Sequence, residues 1–167
     1  MTTINKLIFA LTLFAALGCG LIAGVFFAFS AFVMKALSRL SPAEGIAAMQ
    51  SINIAVINPW FMAAFWGTAA ACVFVIIFSL LRWHNPDAVY LLAGGVLYLV
   101  GSLLVTIVFN VPKNDALALV APTDPNSASL WAGYLASWTA WNHVRTIAAL
   151  AAAAALTIAL CYQNYHE

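Results

Sequence analysis

Four stretches of this sequence are too long and too apolar to rest in water. Leu7–Met34, Pro59–Leu81 and Ala88–Phe109 contain no charged side chain, and Thr146–Tyr162 continues an amphipathic run that lengthens the same helix. About 20 apolar residues in a helix span the roughly 30 Å of a bilayer's hydrocarbon. Without water to serve backbone N–H and C=O groups, only helices and closed barrels cross it. The expectation is an all-α chain, an integral membrane four-helix bundle forming a single transmembrane domain over residues 1–167. Its helices are expected at about 5–36, 59–82, 88–110 and 127–162, with a short amphipathic helix at about 42–57. Charged residues make up 7% of the chain, where a soluble domain carries about 25%. A multi-pass placement follows, with a bacterial inner membrane as the expected location.

Composition also removes function classes. Net charge is +1 and no basic tract occurs, so nucleic acid is not an expected partner. The expected partners are the lipid bilayer and a small aromatic or amphiphilic ligand, and nothing in the sequence excludes a homo-oligomer. Cys19, Cys72 and Cys161 all fall inside apolar runs and read as buried small hydrophobes. With three scattered histidines and no clustered carboxylates, no metal is expected, and no cofactor. Ala16-Leu17-Gly18-Cys19 faintly resembles a lipoprotein cleavage box. The apolar run continues fifteen residues past Cys19, however, which suits a membrane helix better than a cleaved peptide.

Helix boundaries are marked by residue chemistry. Ser41-Pro42-Ala43-Glu44 is a capping box with proline at the first helical position, and Asn58-Pro59 is a second cap of the same kind. Ile46, Met49, Asn53 and Ile57 share one face of the short helix, with Gln50 beside them. Pro112 is expected to stop the third long helix near Asn110. Ala16, Gly20, Gly24 and Ala28 form a small-residue ridge on the first helix, against which the alanine-rich 148–155 run of the last helix is expected to nest.

Most of the unusual side chains gather in Trp131–Arg145. Trp131, Tyr134, Trp138, Trp141 and Arg145 are spaced 3, 4, 3 and 4 apart, which places them on one stripe of a helix. Asn142, four residues after Trp138, lies beside them, and His143 lies about 100° further round. One reading is an interfacial belt of aromatics with a snorkelling arginine. The other is one wall of a pocket for a flat, partly anionic molecule. Counting spans supports convergence: the loops after the first and third helices and the start of the fourth face the same side. Asn53, Asn110, Lys113, Asn114, Trp138, Asn142 and Arg145 therefore meet at one end, and polar groups near membrane depth are costly enough to suggest a site. The two chain ends, residues 2 and 166 included, fall on the other side. Lys6 and Arg82 lie on that other side, against Lys35, Arg39, Lys113 and Arg145 on the first. The excess points the first side to the cytoplasm, and it vanishes if Lys113 and Arg145 serve a site.

These motifs carry a resemblance. GLIAGVFFAFSAFVMKAL, MQSINIAVINPWF, NVPKNDAL and WTAWNHVRT together resemble the anthrone oxygenase-like family of small membrane proteins, over about residues 18–150. The most specific features are the N-x-P-x-N loop and the W-x-x-W-N-x-x-R helix start. The resemblance implies a site at Asn53, Asn110, Asn114, Trp138, Asn142 and Arg145. It also implies cofactor-free oxidation of an anthrone- or quinol-like aromatic by molecular oxygen. For that chemistry Trp138 and Trp141 would bracket the rings. Arg145 and Lys113 would stabilise an anion, and Asn53, Asn110, Asn114 and Asn142 would bind keto and hydroxyl groups. The base would be His143, whose pKa suits the task but which lies off the stripe, or Asp115. The alternative is a non-catalytic membrane protein that binds or moves a small amphiphile or serves as a subunit.

Overall fold

The computed structural model describes residues 3–165, all helical or loop, with no strand among them. Four helices are long and apolar enough to cross a membrane: α1 (Thr3–Leu37), α3 (Pro59–Leu81), α4 (Ala88–Ala118) and α5 (Ser127–Tyr165). A short helix, α2 (Pro42–Ala55), lies between α1 and α3. The long helices form an up-and-down bundle in which α1 packs on α3 and α5, and α4 packs on the same two. This is the integral-membrane bundle expected from the apolar runs. By this topology Thr3 and Tyr165 lie at the same end. Residues 2 and 166, expected there too, lie outside the described residues.

Both proline-led caps form. Ser41 Oγ accepts from the Glu44 N–H, and Glu44 Oε2 accepts from the Ser41 N–H at 3.1 Å. Asn58 Oδ1 accepts from the Phe61 N–H at 3.0 Å, starting α3. On α2, Ile46 and Met49 are buried as phased, whereas Ile57 lies beyond the helix end and is exposed. Gln50 Nε2 donates to the carbonyls of Leu117 and Val120, at 2.8 and 2.9 Å, and so ties α2 to the end of α4.

Two expectations fail for physical reasons. First, α4 does not stop near Asn110 but runs to Ala118. Wide π-type turns occupy Leu97–Leu104 and Thr106–Asn110, and the Val111 N–H reaches back to the Thr106 carbonyl. That bond ends the second wide stretch immediately before Pro112, whose missing N–H and bulky ring would break regular i→i−4 bonding. Second, of the ridge on α1 only Ala16 is buried in the core, and its glycines do not carry the packing. A Cβ at Gly20 or Gly24 would meet nothing within 4 Å. The last helix packs on α1 through other residues, and its alanine run also nests on the glycines of α4. A Cβ at Gly94 would strike Leu156, and one at Gly101 would strike Ala148. What α1 turns inward is Ala15, Cys19, Ile22, Ala23 and Phe26, and its close-approach glycine is Gly18, opposite Thr68.

Candidate functional site

The site is assembled at the end of the bundle that α2 covers. Trp131, Tyr134 and Trp138 are all buried, so this part of the stripe faces inward and is not a lipid-facing belt. Their rings form a ladder, with centroids 5.6 Å apart between Trp131 and Tyr134 and 6.2 Å between Tyr134 and Trp138. The ladder's outer end supports α2, because a Cβ at Gly45 would meet the Trp131 ring. Its inner end turns on Asn114, whose Oδ1 accepts from Tyr134 Oη at 2.9 Å and from Trp138 Nε1 at 2.7 Å. With that oxygen doubly engaged, the Asn114 amide is oriented and its N–H donors remain for another partner.

Arg145 is the centre of the arrangement. It is 4% exposed, and no carboxylate pairs with it among the described residues. Nη2 donates to Asn142 Oδ1 at 2.7 Å and Nη1 to Thr106 Oγ1 at 3.2 Å, while Nε finds no protein acceptor. The guanidinium lies over the Phe26 ring, 4.0 Å from its centroid, and 5.1 Å from that of Trp138. Cation–π contacts of this kind contribute roughly 0.5–2 kcal/mol, less than the several kcal/mol that desolvating an ion costs. The residue is thus held in place by neutral groups, and its charge is left uncompensated.

Asn142 is the brace. Its Nδ2 donates to the Phe26 carbonyl and to Ser30 Oγ, both at 2.8 Å, so its Oδ1 must face Arg145. Ser30 sits in another wide π-type turn, Phe29–Val33, in which the Met34 N–H bonds the Phe29 carbonyl. The wide turns of α1 and α4 therefore flank the buried arginine from both sides, an arrangement that recurs at functional positions in helices.

Arg145 faces a cavity of about 790 Å³, within the roughly 300–1,000 Å³ typical of small-molecule sites. Rings of Phe26, Phe29, Phe65 and Trp138 form much of its wall, and Thr106, Asn53, Asn114 and Gln50 bring polar groups to it. Asp115, an exposed residue at the edge of the cavity wall, is its one carboxylate among the described residues.

The structure separates the sequence-derived candidates. Arg145, Trp138, Asn114, Asn53 and Asp115 line the cavity. Asn142 and Asn110 are buried behind the wall. Asn142 positions Arg145, and Asn110 donates to the Trp138 carbonyl at 3.2 Å while its own Oδ1 is unpartnered. Trp141 stacks on Phe109 with centroids 3.6 Å apart and does not reach the cavity. His143 is exposed and Lys113 half-buried, and neither lines the cavity. The ring of Phe26 beneath the guanidinium, Thr106 and Ser30 were not singled out from the sequence as site residues. Ser30 and Thr106 sit in the wide turns and Phe26 just before one, and which of them meets Arg145 is decided by contacts between helices.

Fold and site together define a class: an all-helical bundle of membrane-spanning dimensions that buries a cation, unpaired among the described residues, against an aromatic-walled cavity. The chain belongs to the anthrone oxygenase family, whose model matches residues 58–155, more than half of its length. The matched segment holds α3, α4, Asn114, Trp138, Asn142 and Arg145. Asn53 and the residues of α1 that support the arginine lie outside it. No curated protein and no solved structure matches the chain.

Proposed function

We propose that this protein is a membrane-embedded, cofactor-independent oxygenase of an anthrone- or quinol-like aromatic, placed in a bacterial inner membrane. Family membership supports oxygenase-type chemistry. The observation that carries the reading is Arg145, a buried guanidinium without a carboxylate, aimed into a cavity walled by rings.

The reaction begins by removing a proton from the carbon opposite the keto group, which converts the anthrone into an extended aryloxide. Arg145 stabilises the oxyanion where charge develops, from a buried position in which its charge is little screened. Asn142 and Thr106 keep the guanidinium in place, and the Asn114 amide donates to a second oxygen of the substrate. Trp138, Phe26 and Phe65 hold the ring system flat. Asp115 takes the proton, because it is the carboxylate on the cavity wall, whereas His143 faces away. The electron-rich anion then reduces O₂. One oxygen atom of O₂ becomes the new carbonyl, and the other leaves as water with the two hydrogens lost from carbon.

Oxygen uptake by the purified protein in lipid, corrected for autoxidation, tests this with anthrone, 1,8-dihydroxyanthrone and a hydroquinone. Wild-type protein is expected to accelerate uptake with at least one of them. Asp115→Asn should lower kcat by about 10²-fold or more while leaving binding intact. Binding of these compounds without any oxygen uptake would overturn the oxygenase reading in favour of a carrier or binding protein.

A further inference from the structure

We infer that the cavity is loaded sideways from the bilayer, through a slot between α3 and α4, and that its ligand is a hydroxy-aromatic bearing an apolar tail that lies in this slot. The inference rests on the Arg145 site proposed above and adds the route and the substrate class.

The slot arises because α3 and α4 are close along only part of their length. Near the far end they are packed tightly: a Cβ at Gly95 would meet Ile76 and the Cys72 carbonyl. Tyr98 Oη donates to the Phe65 carbonyl at 3.0 Å, closing the contact. Beyond this point α4 turns to α5 and α2, and its last turns pack mainly against them. The gap is walled by Phe61, Met62 and Trp66 on one side and by Thr106, Ile107 and Val111 on the other.

Its depth places it within the membrane. At about 1.5 Å per residue, the Tyr98–Phe65 contact that closes the slot lies roughly 9 Å along α3 from Pro59, with Trp66 beside it, and Ile107 lies roughly 16 Å from the end of α4 at Ala118. The Trp66 and Ile107 side chains are substantially exposed, so the slot opens outward at hydrocarbon depth. The route from water is covered differently. Met49, Gln50, Ile52 and Asn53 of α2 line the cavity from above, and the two Gln50 bonds fasten that helix over the end of α4.

Polarity runs the same way. The slot's outer walls offer Trp66, Ile107 and Val111, with the exposed Asp115 as the one charged group of the cavity wall near them, whereas Arg145 and Asn114 lie within. A ligand seated there turns an ionisable oxygen inward and leaves its apolar end toward lipid. A water-borne polar ligand would need the opposite gradient. Apolar chains gain about 0.8 kcal/mol per buried CH₂ by leaving water, so a tailed ligand is already concentrated in the leaflet that the slot faces.

The experiment uses the full chain in phospholipid nanodiscs with two fluorescent probes, 1-naphthol and 4-dodecyl-1-naphthol. Affinities are expressed against each probe's mole fraction in the lipid. The dodecyl probe is expected to bind at least as tightly as 1-naphthol, and Arg145→Met to weaken both. Ile107→Trp narrows the slot from an exposed position, so folding should be unaffected. It is expected to weaken the dodecyl probe about tenfold and 1-naphthol by less than about twofold. Rejection of the dodecyl probe while 1-naphthol still binds through Arg145 would overturn the slot and leave the site standing. Equal weakening of both probes by Ile107→Trp would also overturn it. Binding that is indifferent to Arg145→Met, or absent for both probes, would remove the site itself.

Discussion

The two ends of the bundle are built from the same kind of apolar helix, yet they solve opposite problems. At the far end, glycines of α4 accept Leu156, Ala148 and Ile76, and α1 contributes Ala15, Cys19 and Ile22, so backbones approach closely and the interior is filled. At the α2-covered end the helices part, large rings replace small residues, and a guanidinium is buried with only neutral partners. Small residues let membrane helices associate through van der Waals packing. A buried cation without a counter-ion does the reverse and raises the cost of folding. The contrast indicates that the closed end holds the bundle together while the open end is shaped for a ligand.

The largest expected effect is at Arg145. Arg145→Met should abolish ligand-dependent activity, by about 10²–10³-fold in kcat, since it removes the charge that faces the oxyanion. The same variant should melt within a few degrees of wild type without ligand, because removing an unpaired buried ion offsets the stranding of Asn142 Oδ1. Loss of activity together with a large fall in Tm would mean that the arginine is structural and that the two ends do not differ as described.

Next come the glycines. Gly101→Leu is expected to cost about 1–3 kcal/mol or more by overpacking against Ala148, read as lower yield of folded protein and a lower Tm. Gly24→Leu should melt like wild type, because its side chain would project into open space. If Gly24→Leu is the damaging one, the packing face of α1 has been assigned to the wrong side.

Asn142→Leu should act between these extremes. It strands the Phe26 carbonyl and frees Arg145 Nη2, a loss of about 1–3 kcal/mol. Ligand affinity should fall even where the protein folds, and a double-mutant cycle with Arg145→Met should be strongly non-additive. Additive effects would separate the brace from the arginine.

The smallest effect belongs to the cap of α2. The Ser41 hydroxyl and N–H, bonding Glu44, hold its carboxyl below the ordinary value of 4.5. A depressed folded pKa contributes stability above the unfolded value that is lost as pH falls through the folded one. Ser41→Ala should therefore lower the melting temperature slightly at neutral pH, and the difference should shrink on acidification below about 4.5. A difference that persists unchanged in acid would separate the cap from the Glu44 charge.

Much of this molecule is legible without coordinates. Uncharged runs in a bilayer solvent admit helices alone, so the all-α bundle of four long helices follows from residue type and length. The Ser41 and Asn58 starts follow from local hydrogen-bond chemistry, and the parity of crossings brings α2, the end of α4 and the start of α5 to one end. The spacing of Trp131, Tyr134, Trp138 and Arg145 placed those residues on one buried face. Tertiary structure decided the rest. Which glycines are in contact depends on how each helix is rotated about its axis, and small residues on two faces of α1 look alike in sequence. Whether Trp141 lines the cavity or stacks on Phe109 depends on a neighbour 32 residues away in the chain. Pro112 signals a disturbed turn before it, but the wide turns that hold Ser30 and Thr106 could not be placed from residue type alone. The unpaired state of Arg145 is likewise a property of everything around it, because a sequence shows which charges exist but not which of them meet.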